Sequence, residues 1–309
     1  MKTKNGGDWA KNSPYGFYFD FIAPKADRYK ILLECINSLN LNSAVIPVAG
    51  NRHIFIFPSG QKSLRSAGGI FPFRNQSPYL FSAHYDRVKD SPGANDNSIA
   101  VFHLLKAASL LPGSSPWMIV FTDKEELSPG ESLKEQGSYS LAEKLKSWGL
   151  EKTKVYNFDA CGAGGALIIS TTTDLILKDS ESEYMRLVRK NIKLMRDHAF
   201  NTASLLQFDK VMFAPTPFSD DIGFLRAGLA SQTITMLPEN EARQYEELLR
   251  SRDDFADLLL SGGLRSQSER RLLPETWRSL NSPSDSPSRL TPVHFEQTVR
   301  FIVQLTKSG

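Results

Sequence analysis

At 309 residues the chain is long enough to bury a substantial core, as one α/β domain or as two smaller ones. Its 37 basic and 34 acidic residues nearly cancel. The basic residues are scattered except around Arg265, Arg270, Arg271 and Arg278, which excludes the continuous basic stripe of a nucleic-acid binder. No apolar run approaches the roughly 20 residues that span a bilayer, and the first segment has no apolar signal-peptide core, so the expected setting is the cytoplasm and no membrane partner is expected.

In chain order, residues 26–39 read as a helix whose apolar stripe is Tyr29, Leu32, Leu33, Ile36 and Leu39. Two β-rich runs, 43–48 and 53–57, flank a hairpin turn at Gly50 and Asn51. A strand over 79–83 delivers His84 at its end. A helix over 98–108 and a breaker run over 111–116 lead to the apolar strand 117–121, which ends at Thr122, Asp123 and two glutamates. A helix at 140–148 precedes strand 155–158, which delivers Asp159. A strand at 166–170, a helix at 183–196, a strand at 231–236 and helices at 241–249 and 292–305 follow. Cys35 and Cys161 are too few for a disulfide framework and lack the partners of a thiolate metal site.

Apolar strands alternating with helices predict an α/β fold of three layers, α/β/α, around a mixed, mostly parallel central sheet. Residues 1–309 read as a single domain, with 1–25 as an N-terminal extension and the Ser-, Arg-, Pro- and Gly-rich stretch 261–290 as a flexible loop.

The chemistry is carried by separated acids and histidines: His84 and Asp86 in SAHYD, Asp96 in GANDN, Glu125 and Glu126 in FTDKEE, Asp159 in YNFDAC, and His294 in LTPVHF. Each is commonplace alone. Together, two histidines and three carboxylates suffice for two divalent cations and leave Glu125 free to handle a proton, a set suited to metal-assisted hydrolysis. Asp86, two residues beyond His84, shares its face if the strand continues, and can fix the imidazole tautomer. His84, Glu125, Glu126 and Asp159 all fall at strand ends, where open α/β sheets bind ligands. His53, His103 and His198 read as structural, and Phe55, Phe57, Phe71, Phe73, Phe81 and Tyr85 either border a pocket or form sheet core.

From residue 77 onward these five islands resemble, in order, the dinuclear zinc exopeptidases of peptidase family M28, which include bacterial leucyl aminopeptidases and aminopeptidase Y, with glutaminyl cyclases and glutamate carboxypeptidases as distant members. The resemblance implies the zinc-peptidase (phosphorylase/hydrolase-like) fold and two Zn2+ per chain. His84 and Asp159 would complete one site, Glu126 and His294 the other, and Asp96 would bridge them. Glu125 would be the general base, Asp86 would orient His84, and a cis bond would follow Asp96. The segment 218–224 would supply Ser219, Asp220 and Phe224 to the substrate side. The implied partners are peptides with a free N-terminus, and the implied activity is aminopeptidase. Glutaminyl cyclisation, carboxypeptidase action drawing on Arg87, Arg226 or the 265–278 arginines, and a silent binding protein are the alternatives. Lys124, where smaller residues are usual, and the run DACGAGG at 159–165 depart from the family pattern.

Overall fold

Apolar runs bounded by turn residues make the strands here, and their pairing decides what meets at the ends. The computed structural model describes residues 8–58, 78–113, 116–178, 182–260 and 271–307. Helices α1 (Tyr18–Phe21) and α2 (Arg28–Ser38) precede the hairpin of β1 (Asn42–Val48) and β2 (Asn51–Phe57). Then come β3 (Tyr79–His84), α3 (Ile99–Ala108), β4 (Trp117–Thr122), α4 (Gly137–Ser147), β5 (Lys154–Phe158) and β6 (Ala166–Ser170). The chain continues through α5 (Thr172–Ile176), α6 (Glu183–Leu205), β7 (Val211–Ala214), α7 (Asp220–Arg226), β8 (Ala230–Leu237) and α8 (Glu239–Ser251). It ends with α9 (Phe255–Leu260), α10 (Glu275–Ser279) and α11 (Phe295–Leu305). No helix among the described residues is long and apolar enough to cross a membrane.

The strands form one sheet in the order β1-β2-β4-β3-β5-β8-β6-β7. The central strands β4, β3, β5 and β8 run parallel, as do β6 and β7; β1 with β2, β2 with β4, and β6 with β8 are antiparallel. Alternation along the strands sorts the side chains onto two faces. Ile54, Ile56, Phe81, Ile119, Phe121, Tyr156 and Phe158 join the core under α2, α3, α6 and α11. Phe55, Phe57, Leu80, Met118, Val120 and Val155 join the core under α4 and α7. Phe55, Phe57 and Phe81 are therefore sheet core; Phe71 and Phe73 lie outside the described residues.

Four features go beyond the sequence reading. Helix α6 continues past Arg196 to Leu205 because Ala199, Thr202 and Ala203 prolong its buried face. Strand β7 and helix α7 were not expected; four and seven residues are too short to show a period. In the N-terminal stretch, residues 8–25 pack into the main core: Tyr18 and Phe21 are fully buried, and Trp9 meets Phe295 edge-on with ring centroids 5.1 Å apart. Of the stretch 261–290, residues 261–270 lie outside the described residues. The remainder contains α10 and buries Trp277 and Asp285, since an aromatic and a bonded acid offset the local polarity.

Candidate metal centre

The parallel strands converge on one edge. His84 closes β3 and stands in register with Thr122 at the end of β4, so Glu125 and Glu126 follow within a few residues. Asp159 directly follows β5, and its N–H donates to Ile234 of β8 at 3.1 Å. The chain after β4 reverses at Lys124, which has a left-handed φ of 61°. Gly137 donates its N–H to the Lys124 carbonyl at 2.8 Å. A Cβ on Gly137 would lie 1.8 Å from the Asp123 carbonyl oxygen, so this close approach requires glycine. The reversal aims two consecutive N–H groups at one carboxylate: Glu125 and Glu126 donate to Asp86 at 3.2 and 3.0 Å. Asp86 also faces His84 Nδ1 at 3.3 Å. One acid thus holds the imidazole and the two glutamates together.

Asp96 lies in the turn 94–98 beside the cis peptide Asp96–Asn97. Its position depends on a residue that the sequence reading did not single out. The buried Asp285 accepts N–H bonds from Asn95 at 2.8 Å and Asp96 at 3.0 Å. Asn97 donates to the Phe158 carbonyl at 2.7 Å, tying the same turn to β5. A second clamp comes from α2. Buried Arg28 donates to the carbonyls of Tyr85, Asp86, Pro92 and Gly93 and to Ser98 Oγ.

His84 Nε2 lies 3.0 Å from Asp96 Oδ1 and 3.9 Å from Asp159 Oδ1. Ligand atoms of His84, Asp96 and Asp159 lie within 4.8 Å of one another, and so do those of His84, Glu125 and Glu126. His294 belongs to neither group. Its turn is anchored elsewhere: Thr291 donates its N–H to Gly162 O at 2.8 Å, and Gly164 donates to Thr291 Oγ1 at 3.0 Å. The His294 ring then rests on Gly165, where a Cβ would come within 2.5–2.9 Å of three ring atoms. The structure thus does not bring His294 into either group. Nearness to a predicted helix start did not reveal which loop the turn would meet.

The electrostatics follow from crowding. Burial first, and then Asp96, push Glu126 up to about 8 and Asp159 up to about 7. Burial, Glu126 and Asp220 raise Glu125 well above the ordinary carboxylate range, although His84 pulls it down. Asp86 moves the other way: burial would raise it, but His84 and the two glutamate N–H groups outweigh that and lower it. Burial would depress His84, yet Asp86 and Asp96 raise it.

This chemistry fits a cation. His84 is fully buried, and neither of its ring nitrogens finds a partner with hydrogen-bond geometry; Glu126 Oε1 and Asp159 Oδ1 are likewise buried and unpartnered. Buried polar atoms are rarely left so. A divalent ion among His84, Asp96 and Asp159 would satisfy His84 Nε2 and Asp159 Oδ1 and offset the charge of the crowded acids, and a mixed nitrogen and oxygen set suits zinc.

The cluster forms the floor of a cavity of about 410 Å³. Leu127, Leu133, Phe218, Leu273, Trp277 and Leu280 make its apolar walls, and Asn281 also lines it. No Lys, Arg or His lines it among the described residues. Gln136 reaches in and donates to Glu125 Oε1 at 3.2 Å. Of the three residues expected on the substrate side, Ser219 lines the cavity. Asp220 and Phe224 do not; both are fully buried, Asp220 accepting from Thr122 Oγ1 and Phe224 packing in the α4–α7 core. The short helix α7 turns these positions toward the sheet. Trp277 escaped the sequence reading because a lone aromatic in a Ser- and Arg-rich stretch has no period.

The sequence model of peptidase family M28 matches residues 69–257. No curated protein matches the chain in sequence. A zinc aminopeptidase from Bacillus subtilis superposes with a TM-score of 0.52 at 19% identity, over 82% of this chain and 48% of that one. The chain thus spans about half the length of that enzyme. A leucine aminopeptidase precursor from Bacteroides thetaiotaomicron matches with a TM-score of 0.58 at 13% identity, over 94% of this chain and 93% of that one. A glutaminyl cyclase from the same organism matches with a TM-score of 0.59 at 13% identity, over 95% of each chain. These likenesses show the mixed α/β fold that the sequence predicted.

Proposed function

The chain belongs to peptidase family M28, and from that membership and the make-up of its cavity we propose that it is a zinc-dependent aminopeptidase, releasing the N-terminal residue of peptides. The observation that carries this reading is the lining of the cavity. Its floor is formed by Asp96, Glu125, Glu126 and Asp159, its walls are apolar, and none of its described lining residues is basic. Such a site attracts a cationic α-amine with an apolar side chain and repels a terminal carboxylate. Among the described residues, the arginines that a carboxypeptidase would need stand away from the cavity. Arg87 is held by the carbonyls of Ile22, Ala23, Pro24 and Pro92, and neither Arg226 nor the described Arg271 and Arg278 line the cavity.

His84, Asp96 and Asp159 would hold the cation, with Asp86 fixing the His84 ring from behind. A divalent cation bound there supplies Lewis-acid chemistry, polarising the scissile carbonyl and making water easier to deprotonate. Glu125 takes the proton of the attacking water at its carboxylate and returns it to the departing amine nitrogen. Gln136 fixes the Glu125 carboxylate in the pose for this transfer. Glu126 and Asp96 hold negative charge where the substrate α-amine enters, so that the first peptide bond lies over the floor. Leu133, Phe218, Leu273 and Trp277 exclude water around the side chain of that first residue.

The test is release of free amino acid from paired dipeptides, unblocked and N-acetylated, by the zinc-loaded protein and by chelated protein. Cleavage of the unblocked set alone, lost on chelation, is the expected result. Cleavage of the acetylated set from its carboxyl end would replace the reading with a carboxypeptidase. Failure on both, with cyclisation of an N-terminal glutaminyl peptide, would replace it with a cyclase.

A further inference from the structure

We infer that this chain holds one zinc ion tightly, at His84, Asp96 and Asp159, and that the rest of the cavity floor, with Glu126, lacks the nitrogen ligand needed to hold a second zinc tightly. The inference rests on the reading of the site as a metal centre and deepens it.

The two candidate triads, His84–Asp96–Asp159 and His84–Glu125–Glu126, share the same imidazole. His84 Nδ1 is turned to Asp86, which leaves only Nε2 for a cation. One nitrogen serves one ion, so the triads are alternatives rather than a pair. Nε2 points to Asp96 and Asp159, which settles the choice.

A second tight zinc site would call for another imidazole or a thiolate, and every such group can be traced. The chain has five histidines and two cysteines, all within the described residues. His53 Nδ1 accepts the Asp123 N–H at 3.3 Å. His103 Nδ1 and His198 Nδ1 pair with the hydroxyls of Tyr15 at 2.8 Å and Tyr156 at 3.1 Å. His294 rests on Gly165. Cys35 is buried in the core beneath α2, and Cys161 donates its thiol to the Ile234 carbonyl at 3.2 Å. None lines the cavity.

Among the described residues, Asn281 lines the same cavity as Asp96 and Glu126. Its segment is tied to the floor, because Asp285, four residues on, grips the N–H groups of Asn95 and Asp96. A neutral carboxamide with carboxylates makes an all-oxygen set. Such sets suit magnesium, calcium or manganese and hold zinc weakly.

The experiment is a zinc count on the stripped full-length protein, by titration calorimetry and by elemental analysis after exchange into metal-free buffer. The expected result is one tightly held equivalent in the wild type and in His294→Ala, and none in His84→Ala. Asn281→His is expected to gain a second equivalent. Two tight equivalents in the wild type, or loss of one in His294→Ala, would overturn the inference while leaving the metal centre intact. No gain in Asn281→His would overturn the inference that a missing nitrogen ligand at Asn281 is what bars a second zinc. No tight zinc in the wild type would overturn the metal-centre reading itself.

Discussion

Asp86 and Glu125 divide the work of the site although both are acids within a few ångströms of the same peptide turn. Asp86 is saturated by two N–H donors and by His84, and that holds it ionised. Glu125 accepts one side-chain bond, from Gln136, and keeps its remaining capacity toward the cavity. Glu125→Gln should therefore lower kcat by about 10²–10⁴, the range for a lost general base. It should leave bound zinc and the thermal midpoint near wild type, since the amide is isosteric and Asp86 still holds the turn. Parallel kinetics and elemental analysis on the purified variant check this; lost zinc together with lost rate would move Glu125 from base to ligand. Trp277→Ala should act differently, raising KM about tenfold for peptides with a large apolar first residue while kcat changes little, the pattern of lost uniform binding. Steady-state constants on leucyl and alanyl substrates distinguish the two: an equal effect on both would remove Trp277 from the substrate wall.

The elements that carry the candidate ligands are held from outside the region matched by the family model. Arg28, on α2, gathers four carbonyls and Ser98 Oγ along the chain from Tyr85 to Ser98, the stretch that includes both Asp86 and Asp96. Arg87 reciprocates by bonding three carbonyls of the N-terminal stretch. Arg28→Lys preserves charge but presents three donors from a single atom, so several buried carbonyls lose their partner. The expected loss of stability is about 3 kcal/mol, from unsatisfied buried acceptors. Zinc affinity should also fall about tenfold or more, as for groups that position ligands. Denaturation of the metal-free protein and chelator competition measure these separately; unchanged affinity in a destabilised variant would make Arg28 structural only. The sequence hid this role for a physical reason. An arginine on an amphipathic helix reads as solvated, and its five acceptors lie 57–70 residues away. The strands were legible, and so was the position of Glu125, Glu126 and Asp159 just beyond strand ends, because apolar runs stop shortly before them. Asp285 and Asn281 were not, because a turn with Pro and Ser has no periodicity to show which side chains point inward. For His294 the residue type suits a ligand, but its place depends on contacts with Gly162, Gly164 and Gly165 that no local pattern shows.

At the scale of the whole molecule, the near-neutral balance of charge conceals a local excess. The site gathers Asp86, Asp96, Glu125, Glu126 and Asp159 around a single histidine, at the edge where the parallel strands end. In the metal-free protein burial, followed by neighbouring acids, raises Glu126 to about 8 and Asp159 to about 7, from ordinary values of 4.5 and 3.8. The folded state then binds protons that the unfolded state has released. That contribution to stability is complete below the unfolded values and is lost as pH rises through about 7 and 8. A cation held by His84, Asp96 and Asp159 requires Asp159 ionised and by its charge disfavours the proton on neighbouring Glu126, so its affinity rises over the same interval. The thermal midpoints of zinc-loaded and chelated protein should therefore lie close together near pH 5 and separate progressively up to pH 8. The buried, neutral His53 and His103 titrate alike in both forms and drop out of the difference. At a free zinc concentration 1,000 times Kd the separation corresponds to about 4 kcal/mol. Differential scanning fluorimetry across this range, with and without zinc, measures it. A gap that stayed constant or narrowed with rising pH would mean that Glu126 and Asp159 are not the groups giving up protons to the cation.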